Sequence, residues 1–279
     1  MKTAFIVNPT AGEGRLKKQW PGLLAAIRKR LPRLDYSFTK GEKHATGITR
    51  QYLKKGFDLI VSVGGDGTLS ECVNGFFDNG KKINPDGLLG TLPFGRGCDL
   101  ARNLSISKDP LLALDHLTGR HYRSLDVGRA SFRALSGHQE TRYFLNIANV
   151  GLVSKAVDLS RQVPRIMGSR ISYLYGTLRG ILTYQPKTVI YRILPEGDRE
   201  VKLLNLIIAN GKYFGSGMKA APKAEMSDGF FDCLVAPKMN LFDFLRYLPR
   251  LYTGDHQQGS KIDYFRTKLV EVFSKNKGD

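Results

Sequence analysis

Leu59-Ile60-Val61-Ser62-Val63-Gly64-Gly65-Asp66-Gly67-Thr68 is the stretch from which the fold can be read. Five aliphatic or small residues in succession suit a strand buried on both faces. Two glycines, an acid, a third glycine and a hydroxyl residue then turn the chain into the apolar pattern of Leu69–Phe77, which reads as a helix. Glycines let a backbone bend sharply and bring its N–H groups against anionic oxygens. The N-terminus of a following helix adds the positive end of its dipole. Strand, glycine bend and helix together make a cradle for phosphate. Thr68 can cap the helix or bond a phosphate, and Asp66 can hold magnesium directly or through water. A plain strand-helix turn with a capping aspartate is the less chemical reading of the same residues.

Working outward, the first third alternates strand-like and helix-like runs. Lys2–Val7, Asp35–Thr39, Phe57–Val63 and Gly87–Leu92 read as strands. Trp20–Leu31, Ala45–Lys55, Leu69–Phe77, Cys98–Asn103 and Pro110–Leu117 read as helices. This alternation predicts an α/β domain, a parallel sheet covered on both faces. After about Arg120 strands dominate: His121–Gly128, Arg142–Asn149, Thr188–Leu194, Val201–Ala209 and Phe230–Val235. Helical stretches at Leu152–Ser160, Ser169–Thr183 and Leu241–Tyr252 interrupt them. The expected organisation is therefore a nucleotide-binding α/β domain over 1–122 and a mainly β, sandwich-like domain over 123–279.

The 279-residue chain carries 43 Lys and Arg against 25 Asp and Glu, a formal net charge of +18. Such an excess attracts polyanions or an anionic membrane surface. Its three cysteines, Cys72, Cys98 and Cys233, form no Cys-x-x-Cys pair, which argues against a disulfide framework or structural zinc and fits a reducing cytoplasm. No apolar run is long enough for a signal peptide or a membrane span. A protein of this kind acting on membrane lipid would work peripherally, from the inner surface. Arg161–Arg179 and Leu241–Leu248 mix basic and apolar residues and could lie at a bilayer interface, or equally be core-facing helices with solvated charges. Gly215-Ser216-Gly217 is followed by Pro222 and does not open the helix a dinucleotide fingerprint needs.

The glycine segment resembles the nucleotide signature of the diacylglycerol kinase, sphingosine kinase and NAD kinase superfamily. The flanking Leu69-Ser70-Glu71-Cys72-Val73-Asn74-Gly75 is similar to the diacylglycerol kinase branch. Asn8-Pro9-Thr10-Ala11-Gly12, Leu89–Arg102 and Ala221-Pro222-Lys223-Ala224-Glu225-Met226-Ser227-Asp228-Gly229 resemble further family segments in the same order and spacing. The resemblance implies an ATP-dependent lipid kinase with magnesium, acting on diacylglycerol or a related lipid alcohol at an anionic membrane, with nucleic acid disfavoured as a partner. It implies an ATP site between the two domains built from Asn8, Thr39, Gly64, Gly65, Asp66, Gly67, Thr68, Gly95 and Arg96. It places Asp99 with Asp66 and Asp126 in an acidic network around magnesium and phosphate. Without it, Asp99 is a first-turn dipole partner, and Asp126 is either a turn residue or a ligand relay. It also implies a structural magnesium site on Asp228, completed by carbonyls near Glu225 and Phe230, where the residues alone suggest a capped β-turn.

Two positions depart from the family pattern. Arg96 stands where the family has a threonine against ATP, and can pair with a phosphate or block the pocket. Cys98 stands where it has an asparagine. The Asp-Gly-Glu that supplies the family's base is absent from these 279 residues. The chain is therefore either cut short or without the usual base, so no catalytic base is assigned. Two alternatives follow: a catalytically impaired nucleotide- and lipid-binding protein on the same fold, and an NAD kinase, whose Gly-Ser-Thr-Ala-Tyr-type segment is missing. An unpaired strand edge in the β domain could pair with a second copy.

Overall fold

The computed structural model describes residues 1–279 except 96, 120–121, 135, 161, 163–167, 259–260 and 276–279; for 160, 168–173 and 257–258 it describes the backbone alone. The chain forms two compact units, Met1–Leu145 and Asn146–Asp279.

The first unit runs β1 (Thr3–Val7), α1 (Arg15–Arg30), β2 (Leu34–Phe38), α2 (His44–Lys54), β3 (Leu59–Gly64), α3 (Asp66–Gly75), the two-residue strands β4 (Phe77–Asp78) and β5 (Lys81–Lys82), β6 (Leu88–Pro93), α4 (Asp99–Asn103) and α5 (Pro110–Thr118). It ends in a hairpin of β7 (Gly128–Arg133) and β8 (Gln139–Phe144). Strands β2-β1-β3-β6 form a four-stranded sheet in that order, and every pairing is parallel. Both faces are covered, which explains why β1 and β3 are buried at every residue. Side chains alternate across the sheet. Phe5 and Val7 pack with Leu16 and Trp20 of α1 and Leu114 of α5, while Ala4 and Ile6 pack with Ile48 of α2 and Cys72 of α3.

The second unit runs β9 (Ile147–Gly151), α6 (Leu152–Ser160), α7 (Gly168–Thr183), β10 (Lys187–Ile193), β11 (Gly197–Ala209), β12 (Tyr213–Phe214), β13 (Met218–Lys219), β14 (Phe231–Pro237), α8 (Leu241–Thr253), β15 (Asp263–Thr267) and β16 (Val270–Ser274). Its main sheet is antiparallel, ordered β15-β14-β11-β10-β16, and β9 pairs with the far half of β11. One face buries Tyr191, Leu206, Cys233 and Phe265. Ile207, Ala209 and Leu234 pack with Ala220, Ala221 and Ala224.

Five expectations change. Helix α1 starts at Arg15 rather than Trp20, because Leu16, fully buried, anchors a first turn whose other residues are basic. Helix α3 starts at Asp66 rather than Leu69, so only Gly64 and Gly65 make the bend and Asp66-Gly67-Thr68 is the first helical turn. Of the strand expected over His121–Gly128, residue 121 lies outside the described residues and 122–127 form no strand; Tyr122 is 77% exposed. The strand expected over Arg142–Asn149 is two, because its first half pairs with β7 and its second with β11. The units part at that break, 145/146, instead of at 122/123. Hairpin β7–β8 belongs to the first unit because Asn74 of α3 both donates to the Tyr143 carbonyl (2.8 Å) and accepts from its N–H (2.9 Å). Phe77 also stacks on Tyr143 at 3.9 Å between ring centroids.

Candidate functional site

Strand β1 leads through α1 to β2 on one side, while β3 lies on the other side of β1. Helices α1 and α3 therefore leave the carboxyl ends of β1 and β3 toward opposite faces, as their separate cores require. That is a topological switch point, where open α/β sheets form a ligand crevice. Asn8 follows β1, Gly64 ends β3, Thr39 follows β2 and Gly95 lies two residues beyond β6. The predicted residues of the first unit thus gather along one edge of one sheet. The Thr39 N–H donates to the Val7 carbonyl at 2.9 Å, which continues the ladder to that edge.

The glycines are required by contact. A Cβ on Gly95 would lie 2.5 Å from the Gly65 Cα, and one on Gly64 would lie 2.6 Å from the Thr68 Oγ1. The loops after β3 and β6 therefore approach backbone to backbone, tied by the Phe94 N–H donating to the Gly64 carbonyl at 2.7 Å. Thr68 is buried, and its hydroxyl accepts from Asn8 Nδ2 at 3.0 Å. Asn8 Oδ1 in turn accepts from the Thr10 N–H (3.1 Å) and hydroxyl (2.8 Å). Asn8 and Thr68 thus clamp the β1 and β3 loops together. Gly65 precedes α3 with no side-chain cap, and Asp66 and Gly67 are exposed. The first-turn amides of a helix lack acceptors within it and present a concentrated positive end.

The carboxylates are arranged otherwise than expected. Asp66 accepts from the backbone N–H groups of Asp99 and Leu100, both at 3.2 Å, and so caps α4. Asp99 is buried and pairs with Arg102 at 2.7 Å. Asp126 is half-buried in the segment before β7. Among the described residues no three His, Cys, Asp or Glu side chains converge on a metal position, so Asp66, Asp99 and Asp126 form no such cluster. Arg96 lies outside the described residues. Cys98 adopts a left-handed backbone (φ 50°), and its sulfur accepts from the Gly95 N–H at 3.2 Å. Burial raises its thiol pKa.

In the second unit, Asp228 Oδ1 accepts from the Phe230 N–H at 2.9 Å, which makes the capped turn, and its other oxygen pairs with Arg266. Arg266 lies 5.1 Å from the Phe230 ring centroid. The positive charge beside Asp228 is thus a guanidinium. Sequence reasoning passed over Asp232, fully buried, which accepts from the Tyr264 hydroxyl; burial pushes its carboxyl pKa up. It also passed over an apolar cavity of about 90 Å³ between the sheet and helices α6, α7 and α8. Leu152, Ala156, Leu204, Leu234, Phe244 and Leu251 are among its walls, and Thr177, Asn205, Tyr247 and His256 are its residues with polar side-chain atoms. The helical spacing of Phe244, Tyr247, Leu248 and Leu251 was the available signal. His256 is fully buried, its Nε2 is 2.8 Å from the Ala220 carbonyl, and burial holds its pKa below the usual histidine value.

Comparison with known proteins agrees with this architecture. Residues 2–130 match the model of the diacylglycerol kinase catalytic domain, and residues 146–278 match that of the YegS C-terminal NAD kinase beta sandwich-like domain. A diacylglycerol kinase of Staphylococcus saprophyticus is 27% identical over 277 residues, 98% of this chain and 85% of the relative. One from Staphylococcus haemolyticus is 27% identical over 274 residues, 97% and 78% of the two chains. A crystal structure of a diacylglycerol kinase from Bacillus anthracis superposes with a TM-score of 0.71 at 22% identity, covering 99% of this chain and 86% of that one. A second from the same organism reaches 0.76 at 24% identity, covering 99% and 86%. Two consecutive domain models that together span nearly the whole chain, on the fold seen in those structures, make this chain a member of the diacylglycerol kinase catalytic-domain family, a family of lipid kinases.

Proposed function

We propose that this chain transfers the terminal phosphate of ATP to the hydroxyl of diacylglycerol or a related lipid. The observation that carries the reading is the backbone-to-backbone approach of Gly65 and Gly95 at the switch point, beside the uncapped N-terminus of α3. That approach sets the two loops side by side, and Gly67 in the first turn of α3 has open space where a side chain would stand, beside first-turn amides that lack acceptors within the helix and suit anionic oxygens. Asn8 and Thr68 hold the two loops in register, so the cradle is fixed before ligand arrives and little binding energy goes into ordering it. Magnesium bound to the nucleotide would neutralise phosphate charge, as it commonly does with few protein ligands. The described side chains offer no three-ligand cluster for it. The enzyme would be peripheral at the inner membrane surface; no helix of the described residues is long and apolar enough to cross a bilayer.

Incubating the protein with γ-labelled ATP, magnesium and dispersed diacylglycerol should yield labelled phosphatidate, resolved by chromatography, with related lipid alcohols and NAD assayed in parallel. Label in NADP alone would move the chain to the NAD kinases. A second reading, nucleotide binding without turnover, is favoured by Asp66, both of whose carboxylate oxygens are engaged by α4 amides. ATP affinity with no labelled product from any acceptor would establish it.

A further inference from the structure

We propose that the outer face of α8 docks on an anionic phospholipid bilayer. The helix is apolar on two sides. Its inner side, Phe244, Tyr247, Leu248 and Leu251, walls the cavity. Its outer side leaves Leu241 37%, Phe242 76%, Leu245 45% and Tyr252 41% exposed. At 3.6 residues per turn, Phe242, Leu245, Pro249 and Tyr252 fall in one stripe. Isolated exposed apolar residues are ordinary, but a contiguous stripe along one helix marks a surface with a partner.

Charge selects the partner. Arg246 lies exposed beside the stripe, and Lys238 is exposed just before the helix. The one acid of α8, Asp243, is neutralised by Lys261 at 2.6 Å. Apolar residues flanked by cations on a chain of net charge +18 complement an interface of acyl chains and anionic headgroups. The docking requires neither ATP nor phosphoryl transfer, so it stands or falls separately from the kinase reading.

The test is sedimentation of the full chain with vesicles of phosphatidylcholine, with and without phosphatidylglycerol, in the absence of ATP and diacylglycerol. The parent should sediment with the anionic vesicles. Combining Phe242→Ser with Leu245→Ser should weaken that binding about tenfold or more. Arg246→Glu should weaken it about tenfold on anionic vesicles while leaving neutral ones unchanged. These side chains are exposed, so circular dichroism should match the parent. Because Trp20, the only native tryptophan, is buried, Phe242→Trp adds a reporter whose emission should shift to the blue when anionic vesicles are added. Sedimentation of the double serine variant like the parent, an unshifted Trp emission, loss of binding only when Tyr175 and Leu182 of α7 are replaced, or a parent dimer that the double variant splits without change in sedimentation would each overturn the assignment.

Discussion

Gly95 has no spare volume on the side facing Gly65, because even one methyl group would come within 2.5 Å of a backbone carbon. A flexible side chain could yield; the Gly65 backbone, fixed between β3 and the first turn of α3, cannot. Gly95→Ala should therefore cost about 1–3 kcal/mol of stability, as overpacking does, and weaken ATP binding measured by calorimetry. Thr68→Val keeps the shape but leaves Asn8 Nδ2 without its acceptor. About 1 kcal/mol should be lost in denaturant unfolding, with a larger proportional loss of ATP affinity if the clamp positions the loops. His256 gives a pH signature. Burial lowers its folded pKa below the ordinary value of 6.5, so as pH falls through 6.5 the unfolded chain takes up a proton that the folded one refuses. Its contribution to stability is full above 6.5 and is lost as pH falls toward the folded pKa. His256→Gln, which keeps a donor for the Ala220 carbonyl, should flatten that part of the curve of thermal midpoint against pH.

Two carboxylates that look chemical in sequence hold helices in place. Glu71 accepts from the N–H groups of Lys43 (2.9 Å) and Ala45 (3.0 Å) and so caps α2, whose preceding residue Lys43 has no capping side chain of its own. Asp66 does the same for α4. An acceptor at a helix N-terminus satisfies orphan donors and opposes the dipole. Glu71→Ala should cost about 1–2 kcal/mol and speed amide hydrogen exchange in the first turn of α2. Asp66→Ala should cost a similar amount through α4; if it also abolishes phosphoryl transfer while Asp66→Asn preserves stability but not transfer, the carboxylate has a chemical duty beyond the cap. Asn74, in the same family-like segment, ties the β7–β8 hairpin to α3 by two hydrogen bonds. A motif read for its chemistry thus also carries the joints of its own unit.

At the scale of the whole chain, all three thiols are buried, one in the second unit and two in the first. Burial pushes Cys72 and Cys233 up to about 12, and Cys98 upward too. The thiolate is the reactive form, so at neutral pH a thiol reagent should label none of the three quickly in folded protein and all three in denaturant. Rapid labelling of one in native buffer would place its unit open in solution. The α/β half was legible in the sequence because strands buried on both faces are continuous apolar runs, and because glycines, caps and helical spacing act within a few residues. Phe57–Val63 and Gly64–Thr68 therefore announced the sheet, the bend and the kinase family. Where β8 ends and β9 begins was not legible: Arg142–Asn149 is one extended run in local preference, and only pairing with two different strands divides it. The same holds for Asp66, Glu71 and Asp228, whose acidity is local but whose partners lie up to 38 residues away. Residue type and short-range spacing fixed what each segment could become. Which donor meets which carboxylate, which face of α8 stays bare, and which glycine meets which were decided by contacts between distant segments, which exist only once the sheets have assembled.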